Sequence, residues 1–179
     1  MVEVFSNGVK QDIAQVLRNR DARVMEQSRL AQIVQKHQSL INAKLNIPGP
    51  IKNNFYLSRV FQKGVADFLI NHMVDWQLLW DVATGPEIFA IVEGEPTSVK
   101  EKAIKFENND ALGRLFDIDI LESKDGMMVP LSRSRFELPE RKCLICDQPA
   151  KVCARNRTHS VQEMQAYINQ LINQQLELS

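Results

Sequence analysis

Apolar residues recur at the spacing of an α-helix along four stretches of the chain. The last of these stretches follows Ser160, which forms a capping box with Glu163 and so marks a helix start. Its apolar positions fall on one side, which predicts an amphipathic helix packed on the core. The predicted helices cover 6–38, with a break near 19–21, then 55–80, 96–106 and the segment after Ser160.

Extended segments lie between these helices. Residues 39–47 and 115–122 have strand character, and 88–92 is a short continuous apolar run typical of a buried strand. Asp125-Gly126 before the apolar residues 127–129 is a hairpin signal, so 115–122 is expected to pair antiparallel with the next strand. The sequence therefore predicts an α+β fold, a single compact domain with a mixed or antiparallel sheet flanked by helices.

The amino-acid composition limits the number of domains, the kinds of partner and the compartment that we expect for this chain. The chain has 179 residues, 44% of them hydrophobic, which suffices for one core. Lysine and arginine together number 22, as do aspartate and glutamate, so no overall charge indicates nucleic acid or a membrane as partner. The start of the chain lacks the features of a signal peptide, and three cysteines fit a reducing compartment. We expect a soluble, cytoplasmic protein.

Two acids alternate with large apolar residues in the strand predicted at 115–122. Asp117 and Asp119 therefore share one face of that strand, where they are either solvated or held by a cation. Mg²⁺ prefers such carboxylates together with phosphate oxygens, and Arg114 beside them suits an anionic substrate. The alternative is an ordinary half-exposed strand whose acids Arg114 only neutralises. Candidates for a third metal ligand are Glu93, Glu122 and Asp125.

The polar segment 133–159, here called the basic arm, carries Cys143-x2-Cys146-x6-Cys153-x5-His159. Three thiols and an imidazole at these spacings are compatible with a structural Cys3His zinc site. Packed, reduced thiols are the favoured interpretation, because the later gaps leave little chain for a second half of a zinc knuckle. In that case Arg155, Arg157 and His159 form a phosphate-binding edge ahead of the helix that follows Ser160.

Other polar residues are candidates for phosphate binding. Asn46 and Lys52 bracket the stiff turn Pro48-Gly49-Pro50, a good position for holding a phosphate at the edge of a sheet. The arginines of the first helix have a simpler interpretation as a solvated face, although those near the predicted break also suit phosphate recognition. These arginines are Arg18, Arg20, Arg23 and Arg29.

Four blocks of the sequence occur together, in order, over nearly the whole chain. They are Leu45-Asn46-Ile47-Pro48-Gly49-Pro50-x-Lys52, Ala111-Leu112-Gly113-Arg114-Leu115-Phe116-Asp117-Ile118-Asp119-Ile120, Arg141-Lys142-Cys143-Leu144-Ile145-Cys146 and Cys153-Ala154-Arg155-x-Arg157-x-His159-Ser160. In these blocks the chain strongly resembles the bacterial holo-citrate lyase synthase family of apo-citrate lyase phosphoribosyl-dephospho-CoA transferases. One departure is that Asp110-Ala111 stands where the family pattern has His-Pro, so no role of that histidine is carried over.

The resemblance implies transfer of the phosphoribosyl-dephospho-CoA unit from triphosphoribosyl-dephospho-CoA to a serine of the citrate lyase acyl carrier protein, with release of diphosphate. It implies Asp117 and Asp119 as catalytic residues that hold Mg²⁺. The acid pattern is also similar to that of nucleotidyltransferases, but their upstream Gly-Ser turn is not evident. A carrier-docking module with zinc, or a nucleotidyltransferase with another acceptor, stays open. The expected substrate-binding residues are Arg114, Lys52, Asn46, Arg141, Arg155, Arg157 and His159.

Overall fold

The computed structural model describes residues 2–124, 127–138 and 140–176. The described helices are α1 (Ile13–Leu30), α2 (Phe55–Leu69), α3 (Pro96–Asn109), α4 (Ala150–Asn156) and α5 (Val161–Leu176), with short 3₁₀ turns at Gly113–Leu115 and Arg133–Phe136. The strands are β1 (Gln38–Leu45), β2 (Val74–Val82), β3 (Gly85–Glu93), β4 (Phe116–Lys124) and β5 (Met127–Pro130).

The five strands form one antiparallel sheet in the order β2-β3-β1-β4-β5. The pairing of β4 with β5 confirms the predicted hairpin, while its turn at Asp125-Gly126 lies outside the described residues. The predicted class is also confirmed: an α+β fold with an antiparallel sheet flanked by helices.

The two faces of the sheet are covered by different helices. On the first face, the apolar residues of β1, β3 and β4 pack against α2 and α3. Gly64 of α2 permits a close approach there, because an added Cβ would lie 2.3 Å from the ring of Phe116. On the second face, Leu30 of α1 covers an apolar patch on β1, β3 and β4 that includes Leu40 and Phe89. The polar remainder of this second face carries the acid pair.

Two of the predicted helices differ from the observed elements. Helix α1 runs without a break through 19–21. It begins only after Asp12, whose carboxylate forms a capping box with Gln15, and it ends at Leu30 instead of near residue 38. The helix predicted at 55–80 ends at Leu69, and its second half is strand β2. In β2, Trp76, Leu78 and Trp80 are less exposed than their neighbours, which is the alternation of a half-buried strand.

Helix α5 packs against the N-terminal segment, helix α2 and the 3₁₀ turn before β4. Its Ile168 and Ile172 are buried against Val4, Leu57 and Leu115, which confirms the amphipathic helix predicted after Ser160. The Ser160–Glu163 capping box is present with distances of 2.7 and 3.1 Å. Within the described ranges, no helix is both long enough and apolar enough to cross a membrane.

Candidate active site

Asp117 and Asp119 lie on the second face of the sheet, as predicted from their alternation. They are on β4, where Asp117 is opposite Lys44 and Asp119 is opposite Asn42 of β1. Phe116, Ile118 and Ile120 point to the first face and are almost completely buried. The two carboxylates therefore sit side by side on a rigid central strand, with 44% and 33% of their side chains exposed.

A lysine of the neighbouring strand holds the acid pair. The Lys44 ammonium lies 2.5 Å from an oxygen of Asp117 and 3.5 Å from an oxygen of Asp119. Both carboxylates thus face one positive charge, that of Lys44, whereas the sequence left open solvation of the two acids or binding of Mg²⁺. Sequence reasoning missed Lys44, since only the strand register shows that it is opposite Asp117.

The charges around Asp117 set its protonation. Burial opposes ionisation of this carboxyl, but attraction to Lys44 and the hydrogen bond from it, helped by Arg141 and Lys100, hold its pKa below the usual range. Because the pKa is lower in the folded chain, this interaction stabilises the fold above the ordinary carboxyl range. The contribution is lost as the pH falls through the lowered pKa.

We therefore expect Lys44→Met to raise the pKa of Asp117. Burial raises this pKa, and the substitution removes the positive charge of Lys44 that mainly opposes that effect. An NMR titration of the Asp117 side-chain carboxyl measures this shift directly. Lys63→Met is the matched control, since Lys63 pairs with Asp67 on α2. An unchanged pKa of Asp117 in Lys44→Met would contradict the assignment of Lys44 as its partner.

Helix α3 holds the backbone between the two acids. The Ile118 N–H donates to Glu107 at 2.8 Å, and the Ile118 carbonyl accepts from the Lys100 ammonium at 2.7 Å. Glu107 also pairs with Arg133 at 2.7 Å. Lys100 and Glu107 are buried, although no sequence pattern distinguishes them from the other charged residues of α3. This bracing fixes the segment from which both carboxylates project.

Helix α1 adds a second ion pair to the polar part of this face. Arg23 donates twice to the buried carboxylate of Glu87, at 2.5 and 2.6 Å, and Asn19 donates to the same group at 2.6 Å. Glu87 is opposite Lys44 on the sheet, so these groups adjoin the acid pair. Arg23 is consequently neither a solvated residue nor a free phosphate ligand, which corrects both interpretations of this position.

A cavity of about 470 Å³ opens beside the start of β4 and gathers most of the predicted substrate-binding residues. Its wall also includes Ser160 at the start of α5 and the apolar side chains of Leu144, Val161 and Met164. The predicted residues that line it are Asn46, Arg114, Arg141, Arg157 and His159.

Arg141 connects this cavity with the acid pair. Its guanidinium donates to the carbonyl of Phe116 at 2.8 Å and to the carbonyl of Arg114. Burial lowers the pKa of Arg141 from its ordinary value, and its charge also stabilises the carboxylate of Asp117. Arg141 therefore lies where the arginine-lined cavity meets the acidic strand.

Arg114 lines the cavity without pairing with the acids. Its guanidinium donates to the carbonyls of Cys143 and Lys142 at 3.0 and 3.3 Å. Lys44 has the neutralising role that was the alternative for Arg114. The two hydrogen bonds hold the Arg114 side chain against the basic arm.

Two predicted substrate ligands lie elsewhere. The Lys52 ammonium donates to the carbonyl of Ile47 and so closes the turn, and burial lowers its pKa. Arg155 is exposed on α4. Neither residue is among those that line the cavity in the described part of the chain, and Lys52 is turned back onto its own loop.

The candidates for a third metal ligand are not with the acid pair. Glu93 contacts Gln38 and His37 at the far end of β1, and Glu122 pairs with Arg135. Asp125 lies outside the described residues. Glu93 and Glu122 therefore do not join Asp117 and Asp119 as metal ligands in this arrangement.

The cysteines and the histidine of the basic arm do come together. The possible ligand atoms of Cys143, Cys146, Cys153 and His159 all lie within 4.8 Å of one another. The sulfurs of Cys146 and Cys153 are 3.5 Å apart, and Nε2 of His159 is 3.3 Å from the sulfur of Cys146. All three cysteines are free thiols.

Comparison with known proteins shows what the chain is similar to. The family model described as apo-citrate lyase phosphoribosyl-dephospho-CoA transferase matches residues 11–175. A protein of Streptococcus pyogenes named "Probable apo-citrate lyase phosphoribosyl-dephospho-CoA transferase" is 34% identical over 174 residues, covering 96% of this chain and 90% of the relative.

Two further relatives carry the name apo-citrate lyase phosphoribosyl-dephospho-CoA transferase. The protein of Citrobacter koseri is 34% identical over 85% of this chain and 83% of its own length. The protein of Escherichia coli is 33% identical over 90% of this chain and 88% of its own length. These matches confirm the resemblance found in the sequence blocks, and the chain belongs to the apo-citrate lyase phosphoribosyl-dephospho-CoA transferase family.

Proposed function

We propose that this protein transfers the phosphoribosyl-dephospho-CoA group to apo-citrate lyase. The observation that carries the proposal is the arginine-lined cavity, which meets the acidic strand at Arg141. A donor with several phosphates needs guanidinium groups for its oxygens, and family membership supplies the identity of the transferred group. Cytoplasmic location is part of the proposal, because free thiols persist in a reducing compartment.

In the proposed reaction the donor is triphosphoribosyl-dephospho-CoA and the acceptor is a serine of the citrate lyase acyl carrier protein. The serine oxygen forms a bond to the phosphorus attached to the ribose, the bond from that phosphorus to diphosphate breaks, and the hydroxyl proton is released. Such a transfer requires mainly alignment and charge stabilisation from the protein. Arg114, Arg141 and Arg157 at the cavity wall are the groups we assign to the phosphates.

We further propose that Asp117 and Asp119 hold Mg²⁺. Their oxygens are hard donors that already converge on one cation, the Lys44 ammonium, so the donor set fits the metal. A bound Mg²⁺ neutralises charge on phosphate oxygens. Lys44 competes for the same carboxylates, and Lys100 and Glu107 keep the strand in position beneath them.

Mass spectrometry of the carrier protein tests the function. The apo carrier protein is incubated with this protein, triphosphoribosyl-dephospho-CoA and Mg²⁺, and a mass gain equal to the prosthetic group is expected. Reactions that lack the donor or the transferase are the controls. An unchanged carrier mass with folded components would refute the proposal, and release of diphosphate without that mass gain would indicate another acceptor.

Arg114→Lys is expected to weaken donor binding by about tenfold or more, because lysine keeps the charge but loses the planar fork that grips phosphates. The Michaelis constant for the donor is the measurement. Arg155→Lys is the matched control, since Arg155 is exposed outside the cavity wall. Unchanged kinetic constants in Arg114→Lys would remove Arg114 from the substrate site.

A further inference from the structure

The basic arm is held in place by very little apolar burial. Among the described residues from 133 to 159, only Cys143 and Cys153 are buried. A loop-rich segment of this length cannot build a hydrophobic core of its own, and such segments are usually stabilised by a disulfide or a metal. The arm nevertheless forms one wall of the cavity, and besides polar contacts such as those of Arg114 and Arg141 a further cross-link would fix its conformation.

Its two buried side chains belong to the cluster of three thiols and one imidazole. In a tetrahedral zinc site with bonds of about 2.3 Å, neighbouring sulfurs are about 3.8 Å apart. The observed separations of 3.5 Å between Cys146 and Cys153, and 3.3 Å between Cys146 and His159, are close to those edges. The largest separation in the cluster is at most 4.8 Å, so shifts of about 1 Å complete the geometry.

The backbone conformation brings the four candidate ligands together although few residues separate them in the sequence. Lys142 and Pro149 form an isolated antiparallel bridge, and the Cys143 N–H donates to the carbonyl of Gln148 at 2.7 Å. Across this closed loop the sulfurs of Cys143 and Cys146 lie within 4.8 Å of each other, as in a metal-binding knuckle. The loop leads directly into α4, which carries Cys153 opposite them.

A reversal after α4 brings in the fourth group. Arg157 has a positive φ of 49°, a conformation that non-glycine residues adopt rarely, and the Thr158 N–H returns to the carbonyl of Cys153 at 3.1 Å. The chain thereby folds back, and His159 reaches the thiols before α5 begins. The left-handed turn removes the objection that five residues are too few between the last two ligands.

We propose that Cys143, Cys146, Cys153 and His159 bind one structural Zn²⁺ that fixes the basic arm against the cavity. This reverses the preference for packed thiols that the spacing alone favoured, and it removes His159 from the substrate contacts. The site also positions Arg114, whose guanidinium donates to the carbonyl of the ligand Cys143. The inference is independent of the transferred group, since it concerns only what holds the arm.

The zinc content of the purified full-length protein is the first test, with about one equivalent expected per chain. Metal-stripped wild-type protein is then titrated with Co²⁺ under reducing conditions. Tetrahedral Co²⁺ with thiolate ligands gives intense visible bands and sulfur-to-metal charge-transfer bands, neither of which depends on transfer activity. Addition of Zn²⁺ is expected to bleach these bands and to raise the melting temperature.

Matched histidine variants locate the site. His159→Ala is expected to weaken zinc binding by more than the roughly 100-fold seen when an outer partner of a metal ligand is lost. His37→Ala should retain full zinc content, because His37 is an exposed histidine beside Glu93. Wild-type protein that is folded, free of zinc, unresponsive to Co²⁺ and has three titratable thiols would overturn the proposal. A disulfide in the purified protein, seen as the loss of two hydrogens by mass spectrometry, would overturn it equally.

Discussion

Asp117→Asn and Asp119→Asn are each expected to lower the rate of carrier-protein modification by at least about 100-fold, with the chain still folded. Asparagine keeps the shape of aspartate but removes the charge that attracts a divalent cation. A metal ion contributes several kcal/mol to stabilising charge on transferring phosphates, and each 1.4 kcal/mol is about tenfold in rate. Both side chains are partly exposed on the second face of the sheet, so the loss of charge leaves the core intact.

Glu122→Gln is the matched control for these variants. Glu122 lies on the same strand and loses the same charge, but it pairs with Arg135, away from the acid pair. Its transfer rate should stay close to that of the wild type. Circular dichroism and thermal melting of all three variants separate a catalytic defect from unfolding. Near-normal turnover in Asp117→Asn or in Asp119→Asn would refute the metal assignment for that residue.

Sequence patterns correctly predicted the secondary-structure features that are determined by interactions between neighbouring residues. The alternation around Asp117 and Asp119 identified β4 and the face that carries the acids, because the side chains of a strand alternate strictly. Ser160 and Glu163 located the start of α5, because a capping box involves only the first turn of a helix. Each of these features depends on interactions within a few residues.

Features that depend on distant residues were missed. Lys44 meets Asp117 only through the register between β1 and β4, which are separated by more than seventy residues. The partner of Arg23 on α1 likewise lies far away in the sequence, since Arg23 is fixed to Glu87 of β3. The missed strand β2 is different, because the alternation of its tryptophans and leucines was present in the sequence. There the apolar positions also fitted a helical period, and the tertiary packing selected the strand.

The second large effect is expected at a residue outside the acid pair. Glu107→Ala should lower the free energy of unfolding by about 3–5 kcal/mol, the range found when one partner of a buried ion pair is removed. The buried carboxylate accepts from the Ile118 N–H and pairs with Arg133, whose side chain is only 19% exposed. Denaturant unfolding with fitted midpoints and slopes measures the change. Glu101→Ala on the exposed side of the same helix is the matched control, expected within about 0.5 kcal/mol of the wild type.

Glu107→Gln separates support of the fold from positioning of the acids. Its amide oxygen can still accept from the Ile118 N–H, but the charge that holds Arg133 is lost, so the destabilisation should be smaller than in Glu107→Ala. Ile118 lies between Asp117 and Asp119, and any shift of its backbone moves both carboxylates. Under conditions where the variant is fully folded, we therefore expect the turnover number to fall while the Michaelis constant of the donor changes little. A fully folded Glu107→Gln protein with wild-type turnover would show that Glu107 stabilises the fold without positioning the acid pair.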